Sequence, residues 1–339
     1  MLHRFNKQKG WKKIRKGISS LPSSHHKHHW LKISKYAAIL ILSIGGWLLL
    51  NPVNLPPSAV TVQNSFPADS GWSEGIILKL ADGTVIDLKA KKGQIKNTKN
   101  QSIANNSDSM LSYKNIQDSD NLSQTLNEIY INRGETYHLK LCDGSDIYLN
   151  SMSRIKYPVA FGKQDRIIEL EGEAYLRIAK DIAHPFIVKT KDFEIKVLGT
   201  QFNVTAYPED PCITTTLVEG SVQIESGKYQ VSAQLQPDEQ LRYNKESRQQ
   251  TVNKTDISYA TAWMKGKVRY RDITLENLMI ILKRWYDIEV EYETPEVRHI
   301  VFGCNFNRMD SIGKIIEAFE QTKKVQIKRS GKILKFGRP

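Results

Sequence analysis

Three hydrophobic periodicities follow one another along the chain. The first is a continuous apolar run without a charged residue, Tyr36 to Leu50. From about Glu135 to Tyr243 the apolar residues instead recur at every second position, in short runs separated by Gly, Pro, Asn or Asp: Arg166 to Leu170, Ala174 to Ile178, Phe186 to Thr190, Phe193 to Leu198, Gln201 to Tyr207, Thr214 to Glu219 and Ser221 to Glu225. Period two places alternate side chains on one face of an extended strand, so residues 128–250 predict an all-β domain, built as a sandwich, a barrel or a short β-solenoid. Beyond about Trp263 the period lengthens, and Leu275, Leu278, Met279, Ile281, Leu282, Trp285 and Tyr286 fall on one helical face behind Thr274 as N-cap. Alternation returns at Ile288, Val290 and Tyr292. A second round follows: a strand over Ile300 to Phe306, a helix carrying Ile312, Ile315, Ile316 and Phe319, then strands Val325 to Arg329 and Lys332 to Phe336. With the short run Lys267 to Tyr270 in front, residues 262–339 predict a small α+β domain of the split βαβ type.

A repeat precedes the all-β region. Leu78-Lys-Leu-Ala-Asp-Gly-Thr-Val-Ile-Asp-Leu88 is matched 61 residues later by Leu139-Lys-Leu-Cys-Asp-Gly-Ser-Asp-Ile-Tyr-Leu149. Each copy alternates into an Asp-Gly turn and out again, so Asp82-Gly83 and Asp143-Gly144 predict the tips of two β-hairpins. Gly172, Gly199 and Gly220 are further structural turns. Between the copies, Asn97 to Ser123 is dominated by polar residues and predicts a mobile loop or linker, so residues 51–127 read as a linker holding the first hairpin and this polar stretch.

The apolar run sets the topology. Extended to Ile33–Val53, a helix spans ~31 Å, enough for one crossing of a ~30 Å hydrocarbon core, with Trp47 near its far end and Asn51-Pro52 stopping it. Asn51-Pro-Val-Asn-Leu-Pro-Pro57 offers no small-x-small cleavage site, which argues for an anchor rather than a cleaved signal peptide. Charge supports the same reading. The formal net charge is +13, but ten of the 49 Lys and Arg residues lie in residues 1–35, which hold no Asp or Glu, leaving 39 against 36 acidic residues beyond. The high pI therefore belongs to a short basic head, and the positive-inside rule places that head in the cytoplasm and the C-terminus in the periplasm. Within the head, Trp11, Ile14 and Ile18 recur at helical spacing and offer an apolar face to a partner or to lipid headgroups.

Candidate chemistry is sparse. Three cysteines, Cys142, Cys212 and Cys304, are far apart and odd in number, without a CxxC, and read as small buried hydrophobes. The cluster His25-His-Lys-His-His29 lacks a Cys or carboxylate neighbour, so no metal or other cofactor is expected. There is no G-x-S-x-G, HExxH or P-loop. Glu169, Glu171 and Glu173 share one strand face, where solvated carboxylates are the simplest reading. The pattern points away from catalysis and toward a binding or regulatory protein.

Several segments together resemble the FecR family of single-pass anti-sigma regulators, in the form found among the Bacteroidetes. They are Arg133-Gly134, the Asp143-Gly144 hairpin with Leu149-Asn150, Leu170-Glu-Gly-Glu-Ala-Tyr175 through Ala179-Lys-Asp181, His184-Pro-Phe-Ile-Val188, Val197-Leu-Gly-Thr-Gln-Phe-Asn-Val204 and Thr215-Thr-Leu-Val-Glu-Gly-Ser-Val222. Pro237-Asp238 stands where that family usually has Pro-Gly. Trp263, Gly266, Trp285 and Tyr286 are similar to the C-terminal domain of the same proteins, which resembles the short N-terminal domain of secretins and TonB-dependent receptors. The resemblance implies an inner-membrane regulator that holds an extracytoplasmic-function sigma factor in the cytoplasm, here through Trp11, Ile14 and Ile18. It also implies that the periplasmic part reads the signalling domain of a TonB-dependent transporter, with membrane proteases as possible further partners. A membrane-anchored module binding carbohydrate or envelope components is the alternative that an all-β fold leaves open.

Overall fold

The computed structural model of the chain describes residues 75–97, 101–114, 124–226, 228–229 and 231–339. The run Tyr36–Leu50 and the head residues Trp11, Ile14 and Ile18 lie outside the described residues. Among the described residues no helix is long and apolar enough to cross a membrane.

Residues 76–254 form two sheets around one core. The first sheet takes, in spatial order, Val85–Asp87, Ile76–Lys79, Leu126–Ile131, Arg154–Pro158, the first half of Arg166–Arg177, Phe186–Lys189, Glu194–Val197, Val222–Ser226 and Val231–Leu235. The second takes Gly93–Lys96, Ser102–Asn106, Met110–Tyr113, Tyr137–Lys140, Asp146–Leu149, the second half of Arg166–Arg177, Gln201–Ala206, Cys212–Glu219, Glu239–Asn244 and Gln250–Lys254. Leu78, Ile129, Ile155, Ile168 and Ile195 from the first sheet meet Ile95, Leu111, Leu139, Ile147, Leu176 and Phe202 from the second in one apolar cluster. Of the three all-β arrangements expected, this is the sandwich.

The strand Arg166–Arg177 belongs to both sheets. It pairs with Arg154–Pro158 and Phe186–Lys189 through Glu171, then with Asp146–Leu149 and Gln201–Ala206 from Gly172 onward. The change of sheet occurs at Gly172, where φ is +105° and an added Cβ would lie 2.4 Å from Ser153 Oγ. Here a glycine is required twice, by the dihedral and by the close approach.

Two expectations are corrected. The polar stretch Asn97–Ser123 is not a loop throughout: Ser102–Asn106 and Met110–Tyr113 are strands of the second sheet. Their few apolar residues fall at inward positions, with Ile103, Leu111 and Tyr113 buried. Buried Asn106 donates to the carbonyls of Leu88 and Lys91 and accepts from Tyr137 Oη, while Tyr113 Oη meets Tyr157 Oη at 3.0 Å and accepts from Asn127. Hydrogen-bonded amides and phenols thus fill core positions that a hydrophobicity count misses. For the same reason the described part of residues 51–127 is integral to the sandwich rather than a linker to it.

Residues 267–337 form the second unit. Lys267–Thr274 pairs with Val301–Asn307, and Glu289–Tyr292, Ile333–Gly337 and Gln326–Ser330 form a second sheet. Helices Leu275–Lys283 and Ile312–Gln321 are opened by Thr274 and Ser311, whose side chains accept from the backbone of Asn277 and Lys314. Leu275, Leu278, Leu282, Ile315 and Phe319 from the helices share a core with Val268, Phe302, Leu334 and Phe336 from the two sheets. A short helix, Ile257–Ala260, and a 3-10 turn, Ala262–Lys265, bridge the two domains.

Because Gly172 sits where the shared strand changes sheets, Gly172→Ala should lower stability by about 3 kcal/mol or more. Chemical denaturation of the purified chain checks this, and a loss below ~1 kcal/mol would contradict the strained crossover.

Candidate functional site

The two domains meet at the C-terminal end of helix Leu275–Lys283. Helix ends leave carbonyls without intrahelical partners, and here the cap residue Arg284 hands its carbonyl to the sandwich. That oxygen accepts from Gly134 N at 2.9 Å and from Ser151 Oγ. Gly134 can turn inward because its φ is +78° and an added Cβ would stand 3.4 Å from Trp285 O.

The Arg284 side chain is buried as well, with the residue 6% exposed. Its guanidinium lies 3.5 Å from the centroid of the Tyr207 ring and donates to Asp210 and, at 3.0 and 3.1 Å, to Glu209 Oε1. Tyr207 Oη in turn donates to Ser151 O at 2.7 Å, so ring, carboxylates and backbone form one connected unit. A planar fork stacked on an aromatic face is a geometry that lysine does not reproduce. Burial raises the Asp210 carboxyl above its ordinary value, and the neighbouring guanidinium opposes that shift.

Beside this latch lies a cavity of about 640 Å³, lined by residues of both domains. Glu173 projects into it and accepts from Asn203 at 2.9 Å, Asn150 at 2.6 Å and Thr205 at 3.1 Å. Desolvation raises its pKa, more than the three donors lower it. Asn203 also accepts from Trp263 Nε1 at 3.0 Å, which ties the 3-10 turn to the sandwich. Two further contacts join the domains away from the cavity: Arg308, stacked over Trp285 at 4.9 Å, donates to Thr136 Oγ1, and Arg133 pairs with Asp287.

The residues singled out in the sequence divide between two places. Asp82-Gly83 and Asp143-Gly144 are hairpin tips, with φ of +87° and +86° at the glycines. Gly172, Gly199 and Gly220 all have positive φ, and an added Cβ at Gly199 would lie 2.7 Å from Lys180 Cα. None of these seven lines the cavity. Trp263, Gly266, Trp285 and Tyr286 do gather near the junction. Trp263 does not join the C-terminal core; it is 8% exposed and seated against the sandwich. Gly266 ends the 3-10 turn at φ +68°, and Tyr286 packs against the C-terminal core while its Oη donates to the carbonyls of Arg308 and Asp310.

Glu173, Asn203, Tyr207, Asp210 and Arg284 were not singled out as a group. The available signal was a carboxylate or guanidinium standing inside an apolar run: Glu173 between Gly172 and Ala174, Arg284 directly before Trp285. Glu169 is exposed as a solvated strand face requires, but Glu173 is held by Asn150, Asn203 and Thr205 of the neighbouring strands and lines the cavity between the domains. Among the described residues there is no cluster that would hold a metal ion. Cys142 and Cys212 are buried and Cys304 is partly so; burial pushes the thiols of Cys142 and Cys304 up to about 11. The arrangement holds two domains in register and presents a polar cavity between them.

Two family models match the chain, one described as FecR protein over residues 127–223 and one as FecR, C-terminal over residues 267–335. Two crystal structures of a candidate anti-sigma factor from Parabacteroides distasonis ATCC 8503, at 2.50 and 1.65 Å resolution, are similar to it. Each is 26% identical with a TM-score of 0.58, covering 63% and 62% of this chain and 99% of its own. No curated protein matches.

Removing the latch should leave Asp210 buried without its cation. Arg284→Ala is expected to cost about 3 kcal/mol, and Arg284→Lys most of that, since charge alone does not restore the stacked fork. The pH dependence has a defined sign. Asp210 has a raised pKa in the folded chain, so just above its ordinary carboxylate range the native state binds more protons than the unfolded one, and its contribution favours folding as pH falls. Without the guanidinium that shift grows, so Arg284→Ala should gain more stability than the parent between pH 7 and 5. Denaturant titrations at both pH values measure this; equal gains in the two proteins would contradict the assigned pairing.

Proposed function

The chain belongs to the FecR family, and from that premise we propose that it is an anti-sigma factor anchored in the inner membrane by one helix, Tyr36–Leu50. In this reading the basic head lies in the cytoplasm and contacts an extracytoplasmic-function sigma factor through Trp11, Ile14 and Ile18. The sandwich and the C-terminal domain lie in the periplasm, where they respond to the signalling domain of a TonB-dependent outer-membrane transporter. The observation that carries the reading is the pair of FecR domains in order on one chain, joined by the Arg284 latch. Similarity to anti-sigma factor structures over 99% of their length supports the same assignment.

The outward partner has a physical route. Both sheets of residues 267–337 are small and open, so their outer strands keep unpaired backbone groups, and a partner strand adds there with little reorganisation. The inward route is different in kind. A single membrane helix has no second helix to move against, so the signal passes either through altered association or through cutting of the chain near the membrane. Residues 51–73 are Pro-rich and without hydrophobic periodicity, which suits a protease substrate.

A promoter reporter for the cognate sigma factor tests the assignment in cells carrying Trp11→Ala, a deletion from Gly266 onward, or neither. Trp11→Ala should change basal transcription, and the deletion should abolish the response to inducer. Parental behaviour in both strains would overturn the regulator reading. Topology is checked separately: a reporter active only in the periplasm should give signal when fused after residue 60 and none when fused before residue 30.

A further inference from the structure

Five cations face the interdomain cavity and take no part in the latch. They are Arg242, Lys254, Lys267, Arg269 and Arg271. Among the described residues none of the five forms an ion pair at contact distance. Of the carboxylates that share the cavity, Asp210 is committed to Arg284 and Glu173 to its three donors. Asp256 caps the helix Ile257–Ala260 by accepting from Ser258 N, which leaves Asp272 as the one acidic group there without such a role. Asp256 near Arg269 and Arg271, and Asp272 near Arg271, offset part of this charge without contacting it, and the cavity lining keeps an excess of cations over carboxylates.

A second, independent feature is the strand Lys267–Thr274. It pairs with Val301–Asn307 on one side only, and each of its eight residues lines the cavity. An edge strand running along a basic cleft offers both a backbone template and side-chain partners. The aromatic residues suit a sugar less well. Tyr259 is flanked by the Arg269 and Arg271 guanidinium groups at 4.6 and 5.8 Å, and Trp263 is buried with its N–H spent on Asn203. Tyr270 remains as an exposed aromatic of the floor.

We propose that this cleft receives an extended acidic segment of the outward partner, which adds as a strand to the free edge of Lys267–Thr274 while its carboxylates pair with Arg242, Lys254, Arg269 and Arg271. The inference rests on the anti-sigma reading for its partner and chooses one edge among those the C-terminal domain leaves open. The cleft is walled by Glu173 and Asn203 of the sandwich and by Arg284 at the helix end, so an occupant touches both domains and bears directly on the contacts that hold them together.

The test uses the full chain in detergent and a fluorescent eight-residue peptide alternating Glu with Val or Thr, read by anisotropy. Two further peptides serve as probes, one N-methylated at alternate amides and one with Lys in place of Glu. Only the unmodified acidic peptide should bind, and the triple variant Arg242→Ala, Arg269→Ala, Arg271→Ala should weaken it about tenfold or more, as three charge contacts of ordinary strength imply. If the triple variant melts below the parent, Arg242→Glu alone should still weaken binding, because Arg242 borders the cavity and stands outside the apolar core. Equal affinity for the N-methylated peptide would remove strand addition. Unchanged affinity in the variants would remove the cleft. Tighter binding of tetragalacturonate than of the acidic peptide, lost in the same variants, would make the cleft a sugar site and overturn the proposal. Failure of the peptide to bind while deletion from Gly266 onward still abolishes the inducer response would sink this inference and leave the anti-sigma assignment standing.

Discussion

The last turn of helix Leu275–Lys283 leaves carbonyl oxygens that the helix cannot satisfy, and the manner in which they are satisfied determines how the C-terminal domain is held. Arg284 closes the helix with its backbone inside its own domain and its carbonyl bonded to Gly134 and Ser151 of the other. Its guanidinium then enters the sandwich, stacks on Tyr207 and pairs with Asp210 and Glu209. Burying a guanidinium is expensive unless its donors are matched, and here the match comes from one short segment, Tyr207 to Asp210. Such a contact specifies orientation more than it adds stability: an apolar pair could hold two domains together, but a planar fork between two carboxylates and a ring fixes their rotation.

The fixed junction rests on a frame that is itself made rigid by one strand. Because Arg166–Arg177 belongs to both sheets, Glu173 is placed on the outer face of the second sheet just after the crossover at Gly172. Asn150 and Asn203 reach it from the two neighbouring strands, and Trp263 reaches Asn203 from the 3-10 turn. The crossover, the carboxylate and the tryptophan thus form a chain of contacts from the core of the sandwich to the start of the second domain. A displacement of residues 267–337 would have to break this chain or carry it along.

Much of the fold was legible in the residues, and the parts that were not share a physical cause. Strands at Phe186–Lys189 and Gln201–Ala206, the hairpins at Asp82-Gly83 and Asp143-Gly144, and the helix behind Thr274 follow from alternation, turn chemistry and capping, which are local. The strands Ser102–Asn106 and Met110–Tyr113 were hidden because Asn106 and Tyr113 occupy core positions through hydrogen bonds to residues distant in sequence. The site was hidden for the same reason. Glu173 has the alternation of a solvated face, and only the second domain, more than ninety residues away in the sequence, turns that face inward. Yet the segments whose resemblance named the family, Arg133-Gly134, Leu149-Asn150, Gly172-Glu173 and Gln201-Phe-Asn203, carry the residues that converge on the junction with Trp263 and Arg284.

That convergence bears on what kind of signal the described part of the chain can pass. A stiff junction does not report a partner by bending; it transmits force and position from the C-terminal domain to the strands of the sandwich. The latch is also built from contacts of unequal durability. Helix-end hydrogen bonds from Gly134 and Ser151 hold whatever the charge state, whereas the Arg284–Asp210 pair depends on a carboxylate whose pKa burial already raises. The carboxylates of the proposed occupant pair instead with Arg242, Lys254, Arg269 and Arg271, and leave the Arg284 guanidinium to Glu209 and Asp210. Under the anti-sigma reading, the partner therefore need not pull the domains apart. It needs only to bind along a cleft walled by both domains, so that its position is passed on through a junction that the helix-end bonds and the Arg284 pair keep together.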